Sequence, residues 1–197
     1  MTIASAWRDA AEPRGAHTLA RQLLSTRRYE HSRGVAQQVA RLARLTNQPR
    51  DLRRRLLACA WLHDVGYGLG PESAHPLAAA RALRLAGHEA MARIVAHHSG
   101  SAVAARLDGR PPIADEFPVP TGVDGHLLAL LDIADLTTSP TGAAVSPGGR
   151  LLEMAERRGV SDIRVRVLVE TVERLRQDPA LRVLVERVSG NSGALHA

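Results

Sequence analysis

The 197-residue chain has no lysine; all 26 of its basic residues are arginine. With 20 acids the formal net charge is +6, and the pI is very high, near 11.0. That balance alone would admit a nucleic-acid surface. The arginines, however, are scattered among acids along helical stretches, and five aromatic residues leave little to stack on bases. A single cysteine, Cys59, excludes an internal disulfide and fits a reducing cytosol. No apolar run approaches the roughly 20 residues needed to span a bilayer. The first residues lack a basic region leading into a long apolar stretch, so no signal peptide is expected. Alternating β-branched segments are missing, as are internal repeats, and strands are not expected. These absences point to an all-α, cytoplasmic protein with no membrane contact.

What the chain does contain is helical periodicity. Leu19, Leu23 and Leu24 mark a helix over 17–27, and Val35, Val39 and Leu42 one over about 30–46, with His31 on the same inward stripe. Asp51 is a candidate cap for the next helix, which ends at His63-Asp64 after the uncharged run Leu56-Leu57-Ala58-Cys59-Ala60-Trp61-Leu62. A glycine-rich loop, 65–71, follows. Ser73 or His75 opens a helix with Pro76 in its first turn, and Gly87 stops it. Another runs from His88 to His97-His98. After a proline-rich loop over 108–125, a helix over 124–138 sets Leu128, Leu131, Asp132 and Asp135 on one face. Charged helices over 150–188 carry Val165, Leu168, Val172 and Leu175 as their inward stripe. The expected organisation is an N-terminal arm over 1–16, a helical domain over 17–140, helices packed on it over 141–188, and a fraying tail over 189–197.

Several helix ends thus carry polar groups beside apolar stripes: His31, His63-Asp64, His97-His98 and Asp132, with His75 at a helix start. Buried imidazoles and carboxylates are costly unless they are paired or bind a metal, so their convergence points to a cation. Imidazole plus carboxylate without thiolate suits iron, manganese, cobalt, nickel or zinc better than calcium. Cys59, within the apolar run, reads as core. His17, His88, His126 and His196 read as structural or exposed.

The order His31, His63-Asp64, Asp132 resembles the defining pattern of the HD superfamily of metal-dependent phosphohydrolases. The resemblance runs over about 17–140 and rests on "EHS" at 30–32, "AWLHDVGYG" at 60–68, "HPLAAARALRLAG" at 75–87, "IVAHHSG" at 94–100 and "LLDIADLTT" at 130–138. It implies an all-α HD-domain helical bundle with additional C-terminal helices. It also implies one or two divalent ions. His31, His63, Asp64 and Asp132 would hold the first, Asp64 would bridge, and His75, His97 and His98 would hold a second. Asp135 would orient a ligand from behind. The implied reaction is hydrolysis of a small phosphate substrate by a metal-activated water, with His63 and Asp64 at its centre. Arg28, Arg33 and Tyr67 are the substrate-side candidates; Arg27, Arg81 and Arg84 also lie near the motifs.

The motifs depart from several branches. Val65-Gly66-Tyr67-Gly68 replaces the Glu-Asp of the guanosine tetraphosphate hydrolases, and His98-Ser99-Gly100-Ser101 lacks the acidic continuation of the cyclic-dinucleotide phosphodiesterases. The stretch after His75 is closer to the dinucleoside tetraphosphate hydrolases, but the run after Asp132 is not. A di-iron oxygenase and a non-catalytic metal-binding sensor that contacts a partner through 150–188 remain the alternatives.

Overall fold

In a computed structural model, residues 3–71 and 74–189 are described. Their helices are α1 (Ile3–Arg8), α2 (Pro13–Leu23), α3 (Thr26–Leu45), α4 (Arg50–Leu62), α5 (His75–Leu85), α6 (Glu89–His97), α7 (Ser101–Leu107), α8 (Gly122–Leu136), α9 (Pro147–Arg158), α10 (Ile163–Gln177) and α11 (Pro179–Ser189). Short 3-10 turns, Val65–Gly68 and His98–Gly100, follow the two histidine-bearing helices α4 and α6. Among the described residues there is no strand, only an isolated bridge between Thr138 and Ala144. The chain is all-α, as its patterning requires.

The run Leu127–Leu131 is apolar on every side, and a helix of that kind must be surrounded. Residues Leu127–Ala134 of α8 are accordingly all buried, and α3, α4, α6 and α10 pack around them. Leu56, Leu62, Ile94, Leu130 and Ile133 are fully enclosed in this core. Burying each such side chain is worth roughly 1.5–3 kcal/mol. Because α3, α4 and α6 all meet α8, the polar groups at their ends meet as well.

Local chemistry moves several boundaries from their expected places. The expected N-terminal arm is largely helical: α1 forms, Ala6 and Ala10 are fully buried, and Pro13 opens α2 within it. Proline suits a first turn, whose N–H would be unpaired anyway. Helix α3 starts at Thr26 because Ser25 caps it, accepting from the Arg28 N–H. Asp51 is not the cap of α4; Pro49 precedes that helix and Asp51 sits in its first turn. The expected opening at Ser73, and all but the first residue of the expected tail, lie outside the described residues.

Two glycines fix how the site-bearing segments meet. A Cβ on Gly66 would lie 1.8 Å from the His75 carbonyl oxygen, so only glycine lets the 65–68 turn touch the start of α5. A Cβ on Gly34 would lie 2.3 Å from the Gly142 carbonyl oxygen, which seats the loop after α8 on α3. Neither position admits a side chain without backbone movement.

Candidate metal centre

The site begins with three imidazoles whose orientation is set by backbone. His63 Nδ1 donates to the Ala60 carbonyl at 2.7 Å and His98 Nδ1 to the Val95 carbonyl at 2.6 Å, each one helical turn back. His31 Nδ1 donates to the Ser139 carbonyl at 2.9 Å, across the loop that Gly34 and Gly142 seat. A carbonyl only accepts, so each Nδ1 carries a hydrogen; Nε2 keeps its lone pair in the neutral ring, whereas a charged His31 donates from Nε2 to Asp135. That is the arrangement by which proteins fix the tautomer of a metal-ligating histidine.

The three Nε2 atoms face two carboxylates. His31 Nε2 lies 2.8 Å from Asp135 Oδ1. Asp64 Oδ1 is approached by His63 Nε2 at 3.5 Å, His75 Nε2 at 3.6 Å and His98 Nε2 at 3.9 Å. These last separations are too long for hydrogen bonds but suit donors that share one ion at roughly 2.0–2.2 Å from each. Two donor sets result, His31 with His63 and Asp135, and His63 with Asp64 and His98, each with its ligand atoms within 4.8 Å of one another. His63 belongs to both. Its Nε2 is buried and has no hydrogen-bond partner. An orphaned, completely buried lone pair aimed at two carboxylates is what a divalent cation would satisfy, and the donor set fits one.

The electrostatics agree. Burial alone would raise the Asp64 carboxyl, yet the charges of His63, His31 and Arg28 hold it well below the usual carboxylate range. Asp135 is likewise held well below it, by His31 against the cost of burial. Burial works against a charged His31, but the hydrogen bond and charge of Asp135 outweigh it and raise its pKa. For His98, burial and the neighbouring His63 lower it. The pocket is therefore an anionic pair of carboxylates ringed by imidazoles.

The two aspartates of α8 are exchanged relative to the sequence reading. Asp135 faces His31, whereas Asp132 is turned away: its Oδ1 accepts from the Ser99 N–H at 2.7 Å and its Oδ2 from Arg174 of α10. Burial pushes the Asp132 carboxyl up, against the lowering effect of Arg174. Ser99 joins the two, since its hydroxyl donates to Asp135 Oδ2. It does so from a left-handed backbone, φ 53° and ψ 34°, unusual for a residue with a Cβ. Of the two, Asp135 is the acid grouped with the His31 and His63 donors, and Asp132 holds the Ser99 turn beside it.

Other assignments also shift. His97 Nε2 donates to the Phe117 carbonyl at 2.8 Å, so that ring is outside both donor sets, a consequence of its pointing about 100° from His98 around the helix. His75, 17 % exposed, stays at the mouth and stacks on Tyr67 at 3.9 Å between ring centroids. Arg28 lines the cavity, bonds Asp64 Oδ2 at 3.2 Å and lies 3.7 Å over the Tyr67 ring. Arg33 is instead half exposed and pairs with Glu30. Arg81 and Arg84 bond Glu116 and Glu89 on the outer side of α5. Cys59 is a core thiol, pushed up to about 12 by burial. Sequence patterning had no signal for the Ser139 carbonyl, Arg174 or Ser99.

A family model described as HD domain matches residues 28–138, the segment that carries all of these donors. Neither the curated proteins nor the solved structures contain a match to the chain.

Proposed function

The chain belongs to the HD-domain family, and from that premise we propose that it is a cytoplasmic metal-dependent phosphohydrolase acting on a small phosphate ester. The observation that carries the reading is the set of three imidazoles, each locked through Nδ1, presenting Nε2 to Asp64 and Asp135. His31, His63 and Asp135 would hold one ion; Asp64, His98 and His63, with His75 beside them, are the donors open to a second. A divalent cation bound there supplies Lewis acidity and an activated water for attack on phosphorus.

The chain's own residues do the rest. Arg28 stands at the cavity wall with its guanidinium already beside Asp64, where it can turn donors to a phosphoryl oxygen as charge develops. Tyr67 fixes it by stacking, holding the cation over its ring, and the same ring stacks on His75. The Ser139, Ala60 and Val95 carbonyls keep the imidazole hydrogens away from the centre.

Metal analysis of the purified chain, followed by turnover of p-nitrophenyl phosphate with added manganese, tests this. Asp64→Ala is expected to lose bound metal and at least about a hundredfold in rate together, since loss of outer partners alone already costs 10–100-fold. Retention of full metal by that variant would remove Asp64 from the site. Iron content with oxygen uptake but no phosphate release would favour the oxygenase chemistry instead.

A further inference from the structure

The cavity in front of the metal cluster encloses about 810 Å³, far more than a phosphate group fills and within the range of pockets for whole small molecules. Much of its far wall comes from α9 and α10, outside the segment the family model matches. On α10, Ile163, Val167 and Thr171 recur every fourth residue and line the cavity together. This stripe begins beside the metal cluster. A Cβ on Gly100 would lie 2.4 Å from Thr171 Oγ1 and 2.9 Å from Val167 Cγ1, and Gly100 follows Ser99, whose hydroxyl donates to Asp135. From Thr171 back to Ile163 the stripe extends on the order of 12 Å, at a rise of 1.5 Å per residue. Leu168 of α10 and Met154 of α9 widen it.

The polar groups around this wall are already engaged. Thr171 donates to the Val167 carbonyl at 2.8 Å and Ser101 to the Ala96 carbonyl at 2.6 Å, so both hydroxyl hydrogens are used within the protein. Arg110 bonds Asp108 at 2.8 Å, Arg150 and Arg157 share Glu153, and Arg164 lies 3.7 Å from Asp162. Among the described residues of the lining there is no asparagine, glutamine or tryptophan to read or stack a base. The Tyr67 ring is taken, with His75 3.9 Å and Arg28 3.7 Å from its centroid. What remains to be covered is apolar. Met154, Ile163 and Leu168 are only half-buried. Helix α9 packs mainly on α10 and has Pro147 as its one buried residue, which leaves its apolar side short of a partner.

We propose that this wall is an apolar subsite, and that the substrate is a phosphate monoester of a long, apolar alcohol. The assignment rests on the phosphohydrolase reading, which puts the phosphate at the metal cluster. The apolar body then lies along Ile163, Val167 and Leu168 and is covered by Met154. In the reaction the oxygen of water forms the new bond to phosphorus and the ester P–O bond breaks. The departing alcohol takes one proton from that water, and inorganic phosphate keeps the other.

The test uses butyl, hexyl and octyl phosphate, each below its micelle concentration, with the manganese-loaded chain. Calorimetry reads affinity and phosphate release reads turnover. A buried methylene is worth up to about fourfold in affinity, so octyl phosphate should bind at least about tenfold more tightly than butyl phosphate. Adenosine 5′-monophosphate, whose body is polar, should bind more weakly than octyl phosphate. In the combined Met154→Gln, Leu168→Gln variant the octyl-to-butyl ratio should fall at least about fivefold. That ratio is read within one protein, so a general loss of activity does not imitate it, and the series on the unaltered chain stands without the variant. Equal affinity across the series would overturn the subsite, as would tighter binding of adenosine 5′-monophosphate or an unchanged ratio in the variant. Phosphate release at equal affinity defeats only the subsite; affinity that rises with chain length without release defeats only the hydrolase.

Discussion

At the scale of single residues, the sharpest question is which aspartate of α8 faces the metal. Asp132 and Asp135 are three apart and therefore share a helix face, so periodicity alone cannot choose between them. The choice is made by α10, whose Arg174 draws Asp132 outward, and by Ser99, which donates to both acids. Asp135→Asn is expected to lower metal affinity by about ten- to a hundredfold or more, the range seen for weakened ligand shells. Asp132→Asn should retain the metal more nearly, because the Asn carbonyl can still accept from Ser99. Titration of both variants with manganese or cobalt decides it, and a greater loss in Asp132→Asn would reverse the assignment. His31, His63, Asp64 and His98 were legible in the sequence because each ends or begins a clear apolar stripe. The exchange of the aspartates was not, since it depends on a contact 42 residues away in sequence.

At the scale of elements, the centre is assembled where separate helices touch, and two contacts can be tested. Gly66→Ala forces the 65–68 turn off the start of α5, where a Cβ would stand 1.8 Å from the His75 carbonyl oxygen. A cost of roughly 1–3 kcal/mol is expected, as for overpacked cores, and a shifted denaturant midpoint with unchanged slope would measure it. The contact of α10 with α8 behaves differently, because it is electrostatic. Asp132 is fully buried and Arg174 is half exposed, at 0 % and 51 % of their side chains. Arg174→Gln leaves a buried carboxylate without its cation, at a cost of about 1–3 kcal/mol once solvent screening of the exposed partner is allowed for. The pH dependence has a definite sign. The Asp132 carboxyl is already raised by burial, and removing Arg174 raises it further. The folded variant therefore holds a proton that the unfolded chain releases, and its deficit is largest near neutral pH and narrows as pH falls. A deficit that instead widened toward acid would mean that Asp132 is ionised and held by other groups. Sequence patterning located α8 and α10 as helices, but the seat of α10 against the turn after α6 rests on Gly100 meeting Thr171, which no periodicity encodes.

At the scale of the whole molecule, the donors come from α3, the end of α4, the turn after α6, and α8, four parts of the chain that share little else than the core around α8. Without a cation that junction holds two buried carboxylates and an orphaned imidazole nitrogen, a costly arrangement offset by the surrounding apolar packing. No helix among the described residues is long and apolar enough to cross a membrane. A ligand that binds only the folded state adds RT ln(1 + [L]/Kd), about 2.7 kcal/mol at a hundredfold excess over Kd. For a chain of this length each kcal/mol moves Tm by roughly 2–4 °C. Manganese in excess should therefore raise Tm by about 5–10 °C over the chelated protein, and the rise should vanish in Asp64→Ala and Asp135→Asn. Because the ion draws the helices together and not one helix alone, unfolding should stay a single transition in both conditions. Two transitions in chelator, with the one assigned to α9–α11 unmoved by metal, would show instead that the C-terminal helices fold apart from the centre they face.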